Sequence, residues 1–321
     1  MKQSARVFKV DFSKNSSAFE IVNSLWHRFF SELTEMSQVT SSYWKYYGEN
    51  TRVQPEAGTQ NFYLGGLYAG DYENKKFMSK FDLLKNFHIS AVTRILLGFL
   101  SPTWKNAVLA VSAQTDRVIN PDLVRIAKSC ESLEKAIGSF EGKRIIIIGD
   151  GFGTCGSLIK FAFPTASILF INLGKSLVFD ASFSYKAFPN AVHVDARDNL
   201  DLKEGSFTYL PAEDVERVPL GGDIYIAMET FQEMDLSIVN RYFSIMRLEI
   251  NSPILYSANR ISKTLPDGSI INNKDFGWAP QDLVMTKSSP WWLNWGIRRR
   301  PPFLFHMHGK VEECIAVIKK F

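Results

Sequence analysis

The sequence is poor in cysteine and arranges none of it for structural use. Cys130, Cys155 and Cys314 are the full complement. None belongs to a Cys-x-x-Cys pair, which excludes a zinc knuckle and a disulfide framework and fits a reducing compartment. Long apolar runs are missing too. Residues 89–100 are broken by Ser90, Thr93, Arg94 and Gly98, too short and too interrupted for a membrane span, and they read as a buried helix. The first residues lack the apolar stretch of a signal peptide. Together these absences predict a soluble, cytoplasmic protein. Charge of one sign is also scarce: 37 Lys and Arg against 33 Asp and Glu leave a net charge of +4. The basic residues are scattered, which argues against a dedicated nucleic-acid binder. There is no internal repeat and no low-complexity tract.

Aromatic residues are plentiful at 13%, with 25 Phe, 11 Tyr and 7 Trp, enough to fill a core and leave some for a binding surface. The 321 residues suffice for a catalytic domain with a smaller companion. Residues 1–118 show no strand–helix alternation. Helical spacing at 19–33 and 78–100 flanks an irregular segment rich in Tyr, Gly and Asn, so this part reads as a mostly helical cap that covers an acceptor or mediates self-association. From 119 to 321 the pattern sharpens. Asn120 is an N-cap, Pro121 suits the first helical position, and Gly138 is placed to end the helix. Ile145, Ile146, Ile147 and Ile148 then describe a strand buried on both faces. Further apolar runs at 167–173, 207–210, 223–228 and 253–257 alternate with helical segments, the last of them at 235–248. The expected fold is α/β: a doubly wound, Rossmann-like sheet with right-handed crossovers. Residues 303–307 and 314–318 are candidates for closing antiparallel strands.

The chain after the isoleucine strand reads Gly149, Asp150, Gly151, Phe152, Gly153, Thr154, Cys155, Gly156. Glycines permit backbone angles closed to other residues and let a ligand approach the main chain, while the helix that follows points free N–H groups at it. The strand–turn–helix context is the one such a motif requires. Gly151, Gly153 and Gly156 match the dinucleotide spacing G-x-G-x-x-G. Gly149, Gly151 and Gly153 also resemble the turn facing the amino-acid end of S-adenosylmethionine in class I methyltransferases. Asn172, followed by Leu173, ends the second strand, where either cofactor's ribose would be met.

Downstream, Phe231, Gln232, Glu233 and Met234 follow the 223–228 strand. Tyr256, Ser257, Asn259 and Arg260 fall at the end of the next one. This combination resembles the sugar O-methyltransferase family of bacteria, across about residues 119–262. Thr230 stands where that family usually has Ser, Ile147 where an acid usually helps hold the cofactor's ammonium group, and Asn172 where a carboxylate is usual. The resemblance implies a transferase that moves a methyl group from S-adenosylmethionine to a hydroxyl of a sugar or a precursor in glycan biosynthesis. It implies a cofactor site at Gly149, Asp150, Gly151, Phe152, Gly153, Asn172 and Leu173.

Methyl transfer to a hydroxyl is an in-line displacement, so the protein aligns the reactants and removes a proton. The base belongs at the C-terminal edge of the sheet. Glu233 and Glu229 sit there, Glu233 being the first choice; a helix-terminal acid is its plainer reading. Gln232, Asn259 and Arg260 are candidates for binding the acceptor, Arg260 with a preference for an anionic sugar. Trp292, within residues 289–295, offers a flat face for a sugar ring, as do Tyr43, Trp44, Tyr46 and Tyr47. Packing or a homo-oligomer interface would use the same residue types. Arg298, Arg299 and Arg300 read as a solvated patch. His306 and His308 share one face of a strand, but no acidic partner can be paired with them and no metal site is expected; His193 reads as structural. Two other functions stay open: an NAD(P)-dependent oxidoreductase on the same turn, and a non-catalytic binding or scaffold protein that keeps the fold.

Overall fold

The structure, a computed structural model, describes residues 7–31, 41, 52–65, 87–196, 203–217, 220–297, 304–306 and 309–321. The chain opens with strand β1 (Val7–Asp11) and helix α1 (Ser16–Trp26), continued by a π-helical turn at His27–Ser31. Strands β2 (Arg52–Pro55) and β3 (Asn61–Gly65) join β1 in an antiparallel sheet of order β1-β3-β2. Helices α2 (Phe87–Gly98), α3 (Pro102–Thr115) and α4 (Pro121–Ile137) follow. The N-terminal region is therefore mostly helical where described, with a small sheet that periodicity did not reveal. Tyr43, Trp44, Tyr46, Tyr47 and residues 78–86 lie outside the described residues. Residues 89–100 were expected to be buried, but Ile95 and Phe99 are exposed, as is Phe87. Among the described residues no helix is long and apolar enough to cross a membrane.

Helix α4 begins as its sequence dictates. The Asn120 side chain accepts from the Leu123 amide at 2.9 Å, Pro121 occupies the first turn, and Gly138, at φ 92°, ends the helix. Then come β4 (Arg144–Ile148), α5 (Thr154–Ala162), β5 (Ser167–Asn172), α6 (Gly174–Ala187), β6 (His193–Asp195) and β7 (Phe207–Pro211). The chain continues with β8 (Ile224–Met228), α7 (Leu236–Leu248) and β9 (Ile254–Arg260). A small antiparallel pair, β10 (Ser262–Thr264) and β11 (Ile270–Asn272), precedes β12 (Leu283–Ser288). The short helix α8 (Trp291–Asn294) leads to β13 (Trp295–Ile297), β14 (Leu304–His306) and β15 (Val311–Val317).

The principal sheet has eight strands in the order β12-β15-β9-β8-β4-β5-β7-β6. The six from β9 to β6 are mutually parallel, and β15 runs against its neighbours β9 and β12. The fold is thus the expected doubly wound α/β sheet. Of the two C-terminal segments expected to close it, the one around Cys314 does so as β15. Residues 304–306 instead pair with β13 in a separate hairpin.

Pleating sends alternate side chains of β4 to opposite faces. Ile145 and Ile147 pack with α4, α5 and α6, while Ile146 and Ile148 pack with α7. The N-terminal elements belong to the first of these cores. Phe12 stacks on Tyr185 of α6 at 4.5 Å between ring centroids, and Trp104 of α3 meets Phe140 and Phe163 edge-on or tilted. Helix α6, enclosed between the sheet and α1, is therefore buried on nearly every side. The chain leaves β4 toward β5 on one side and returns to β8 on the other. The crevice between the C-terminal ends of β4 and β8 is the switch point at which doubly wound sheets bind ligands.

Candidate functional site

The turn after β4 requires glycine at two positions. Gly149 has φ 74°, and a Cβ there would meet Thr230 Cγ2 at 2.4 Å; Gly153 has φ 58°, and its Cβ would meet the Asp180 carbonyl oxygen at 2.8 Å. Asp150 turns its carboxylate into the start of α5. One oxygen accepts from the amides of Thr154 (2.8 Å) and Cys155 (3.1 Å), the other from Gly156 (2.9 Å). These are the orphan N–H groups that make a helix N-terminus an anion site. An internal carboxylate already holds them. Burial lifts the Asp150 carboxyl above its ordinary range, and the three amides pull it back only in part.

Asn172, at the end of β5, is almost fully buried. Its amide nitrogen donates to Asp180 at 2.8 Å and its oxygen accepts from the Leu173 amide at 2.9 Å. The other Asp180 oxygen accepts from the Gly153 amide at 2.8 Å. Asp180 thus ties the β5 end to the glycine turn. Burial, reinforced by the nearby Asp150, holds its carboxyl well above the usual range. Asn172, Leu173 and Gly149 line a small recess on the far side of the turn.

At the end of β8 the backbone enters the left-handed region at Glu229, φ 55°, a conformation uncommon for a non-glycine residue. The Glu229 amide donates to the Ala258 carbonyl at 2.7 Å. Thr230 follows, its hydroxyl bonded to the Met228 and Gly149 carbonyls, and residues Phe231–Glu233 form a 3₁₀ turn. The segment after β8 and the end of β9 prove to be two halves of one clamp. Asn259 Oδ1 accepts from the Gln232 amide (3.2 Å), and its Nδ2 donates to Ala227 O and Ser257 Oγ. Gln232 Oε1 in turn accepts from the Arg260 amide at 2.7 Å. Gln232 and Asn259 were expected to meet an acceptor. Their side chains are instead buried and consumed in holding the β8 and β9 ends together, because a buried amide must satisfy its polar atoms internally.

A cavity of about 530 Å³ opens between the glycine turn, the β8 end and α4. Its charged lining comprises Arg117, Asp122, Arg125, Asp150, Glu229 and Glu233. Glu229 and Glu233, the expected acids, both reach it, as do Gly149, Gly151 and Phe152. The two acids differ. Glu233 pairs with Lys263 at 2.7 Å. Glu229 is exposed to solvent where it lines the cavity. Desolvation by the surrounding protein raises its carboxyl and Asp122 adds to the effect, against the weaker pull of Arg125, Arg260 and Lys263.

Arg125 fastens the tryptophan segment to the cavity wall. Its Nε donates to Trp292 O at 3.0 Å, its Nη2 to Trp295 O, and its Nη1 to Asp122 at 2.7 Å. Leu293 of that segment lines the cavity. Trp292 itself packs against the core, while Trp291 and Trp295 are exposed. His193 is buried and bonded to the Tyr209 hydroxyl; His306 is exposed in β14. His308 and the three consecutive arginines lie outside the described residues. Among the described residues no group of three or more His, Cys, Asp or Glu is placed to hold a metal.

Arg117, Asp122 and Arg125 were not singled out from the sequence. Arg117 and the α4 pair lie upstream of the glycine turn with no motif spacing to mark them.

No family model and no curated protein matches the sequence. Among solved structures, an O-methyltransferase from Bacillus cereus in complex with SAH is similar at 11% identity and a TM-score of 0.41, covering 72% of this chain and 99% of that one. The CurJ carbon methyltransferase is similar at 13% identity and a TM-score of 0.40, covering 98% and 85%.

Proposed function

We propose that the cavity binds S-adenosylmethionine and that the protein is an O-methyltransferase acting on a hydroxyl of a sugar or glycan precursor. The observation that carries the cofactor reading is the Asp150 carboxylate seated on the three first amides of α5. A dinucleotide needs those amides for its pyrophosphate. A sulfonium nucleoside carries no phosphate, so a turn closed by its own carboxylate suits it and works against NAD or NADP. Gly149 and Gly151 leave the main chain open to the ligand, and a cavity of about 530 Å³ is within the usual range for a small-molecule site, roughly 300–1,000 Å³.

The cofactor, when bound, supplies a methyl group activated on sulfur. The protein's part is to align the acceptor hydroxyl and take its proton. Glu229 is the better placed base. Its carboxylate faces the cavity from a strained backbone, and desolvation strengthens it as a proton acceptor, whereas Lys263 engages Glu233. The sugar reading draws on the residues shared with sugar O-methyltransferases.

Transfer of labelled methyl groups to a panel of sugars and nucleotide sugars tests this. Glu229→Gln is expected to lower kcat by about 100-fold, and Glu233→Gln to do less. The base must be ionised to work, so activity falls as pH drops through the raised Glu229 pKa, and the acid limb lies above 4.5, the ordinary value. Full activity in Glu229→Gln would remove Glu229 from the mechanism.

A further inference from the structure

We infer that Arg260 forms an oxyanion subsite at the acceptor end of the cavity, and that the acceptor is an acidic sugar bearing a carboxylate or a phosphate; this rests on the sugar reading above. Three residues were expected from the sequence to meet an acceptor, and two of them, Gln232 and Asn259, spend their side chains on the clamp. The clamp takes only the backbone of Arg260, whose amide donates to Gln232 Oε1 at 2.7 Å. Among the described residues no hydrogen bond or ion pair reaches its guanidinium, and its Nε is buried without an acceptor. A buried donor on a charged group is costly to leave unmet.

The neighbouring cations are engaged elsewhere. Arg125 commits Nε, Nη1 and Nη2 to Trp292, Asp122 and Trp295, and Lys263 pairs with Glu233 at 2.7 Å. Those two pairs also mask Asp122 and Glu233, so these acids offer an incoming anion little repulsion. The stem of Arg260 is packed in place: a Cβ on Gly309 would meet its Cδ at 3.2 Å. A planar fork held in this way matches two oxygens of a carboxylate or a phosphate.

Position assigns the fork to the acceptor rather than to the cofactor. Residues two apart on a strand share a face, so Arg260 follows Ala258, which lines the cavity. In the sheet order β9-β8-β4, Glu229 at the β8 end stands between Arg260 and the glycine turn. Two strand spacings, roughly 10 Å, separate β9 from β4. An acceptor whose hydroxyl meets Glu229 therefore extends its far side toward Arg260.

Calorimetric titration of the protein saturated with S-adenosylhomocysteine compares matched sugars: methyl glucoside, methyl glucuronide and glucose 6-phosphate, with the galacto and manno series alongside. The wild type is expected to bind the carboxylate or the phosphate member of one series about 30-fold tighter than its neutral parent, the effect of a hydrogen bond to a charged group. Arg260→Met removes the preference while leaving affinity for the neutral sugar within about twofold, and Arg260→Lys keeps part of it. Should Arg260→Met not fold, a preference reduced several-fold in Arg260→Lys carries the same result. Equal binding of neutral and charged sugars by the wild type, or a preference undiminished in these variants, overturns the subsite and leaves the sugar reading standing. A fall in S-adenosylhomocysteine affinity in Arg260→Met places the guanidinium on the cofactor and overturns the subsite as well. Wild-type protein that takes up S-adenosylhomocysteine but none of the sugars overturns the sugar reading and the subsite together.

Discussion

His193 shows how a buried residue couples the fold to pH. Its ring stacks on Phe207 with centroids 5.4 Å apart. Nδ1 lies 2.7 Å from the Tyr209 hydroxyl and Nε2 lies 3.2 Å from the Phe188 carbonyl. The carbonyl can only accept, so the proton resides on Nε2 and Nδ1 accepts from Tyr209. Burial lowers the imidazole pKa from 6.5 to about 4. The folded state therefore favours neutral His193. Its contribution is intact above pH 6.5 and is lost as pH falls toward about 4, a loss of about 3 kcal/mol. Urea denaturation of the wild type at pH 7 and at pH 4.5 should show most of that loss, and His193→Phe should flatten it. An unchanged acid slope in the variant would assign it to other groups.

At the scale of elements, the pairing of Asn172 with Asp180 accounts for a neutral residue where a carboxylate is usual. A carboxylate at 172 would face Asp180 at the present separation of 2.8 Å, with both groups buried and no cation between them. Asn172→Asp is expected to destabilise the fold by about 2 kcal/mol, and the swap Asn172→Asp with Asp180→Asn to recover most of it. Equal melting temperatures for wild type and Asn172→Asp would contradict this pairing. The isoleucine strand, the turn and α4 were legible in the sequence because each rests on local rules of periodicity, φ angle and capping. The segments at 231–234 and 259–260 were legible as a pair but not in their task. Local sequence does not say whether a Gln and an Asn point outward to a ligand or inward to each other's backbone.

Over the whole molecule, the sheet's switch point brings the β4 turn and Glu229 to one crevice, and this followed from the strand–helix alternation. The small N-terminal sheet did not. Its strands are short, and β1 pairs with β3 some fifty residues later, Val7 opposite Gly65, so no hairpin spacing betrays it. Strand β12 is exposed along its length and so shows no buried–exposed alternation. The expected division at residue 118 also meets a shared core. Trp104 is fully buried against Phe140 and Phe163, and Phe12 against Tyr185. Residues 119–321 expressed alone would expose that apolar surface and are expected to lack a cooperative thermal transition. A sharp transition would show that the core divides there after all.

The central claim is that the turn at Gly149, closed by Asp150, receives a nucleoside without phosphate. Thermal unfolding with millimolar S-adenosylhomocysteine, NAD or NADP tests it most directly, since a ligand that binds only the folded state raises the melting temperature. The account predicts a rise with S-adenosylhomocysteine and none with either dinucleotide. A rise with NAD or NADP and none with S-adenosylhomocysteine would contradict it.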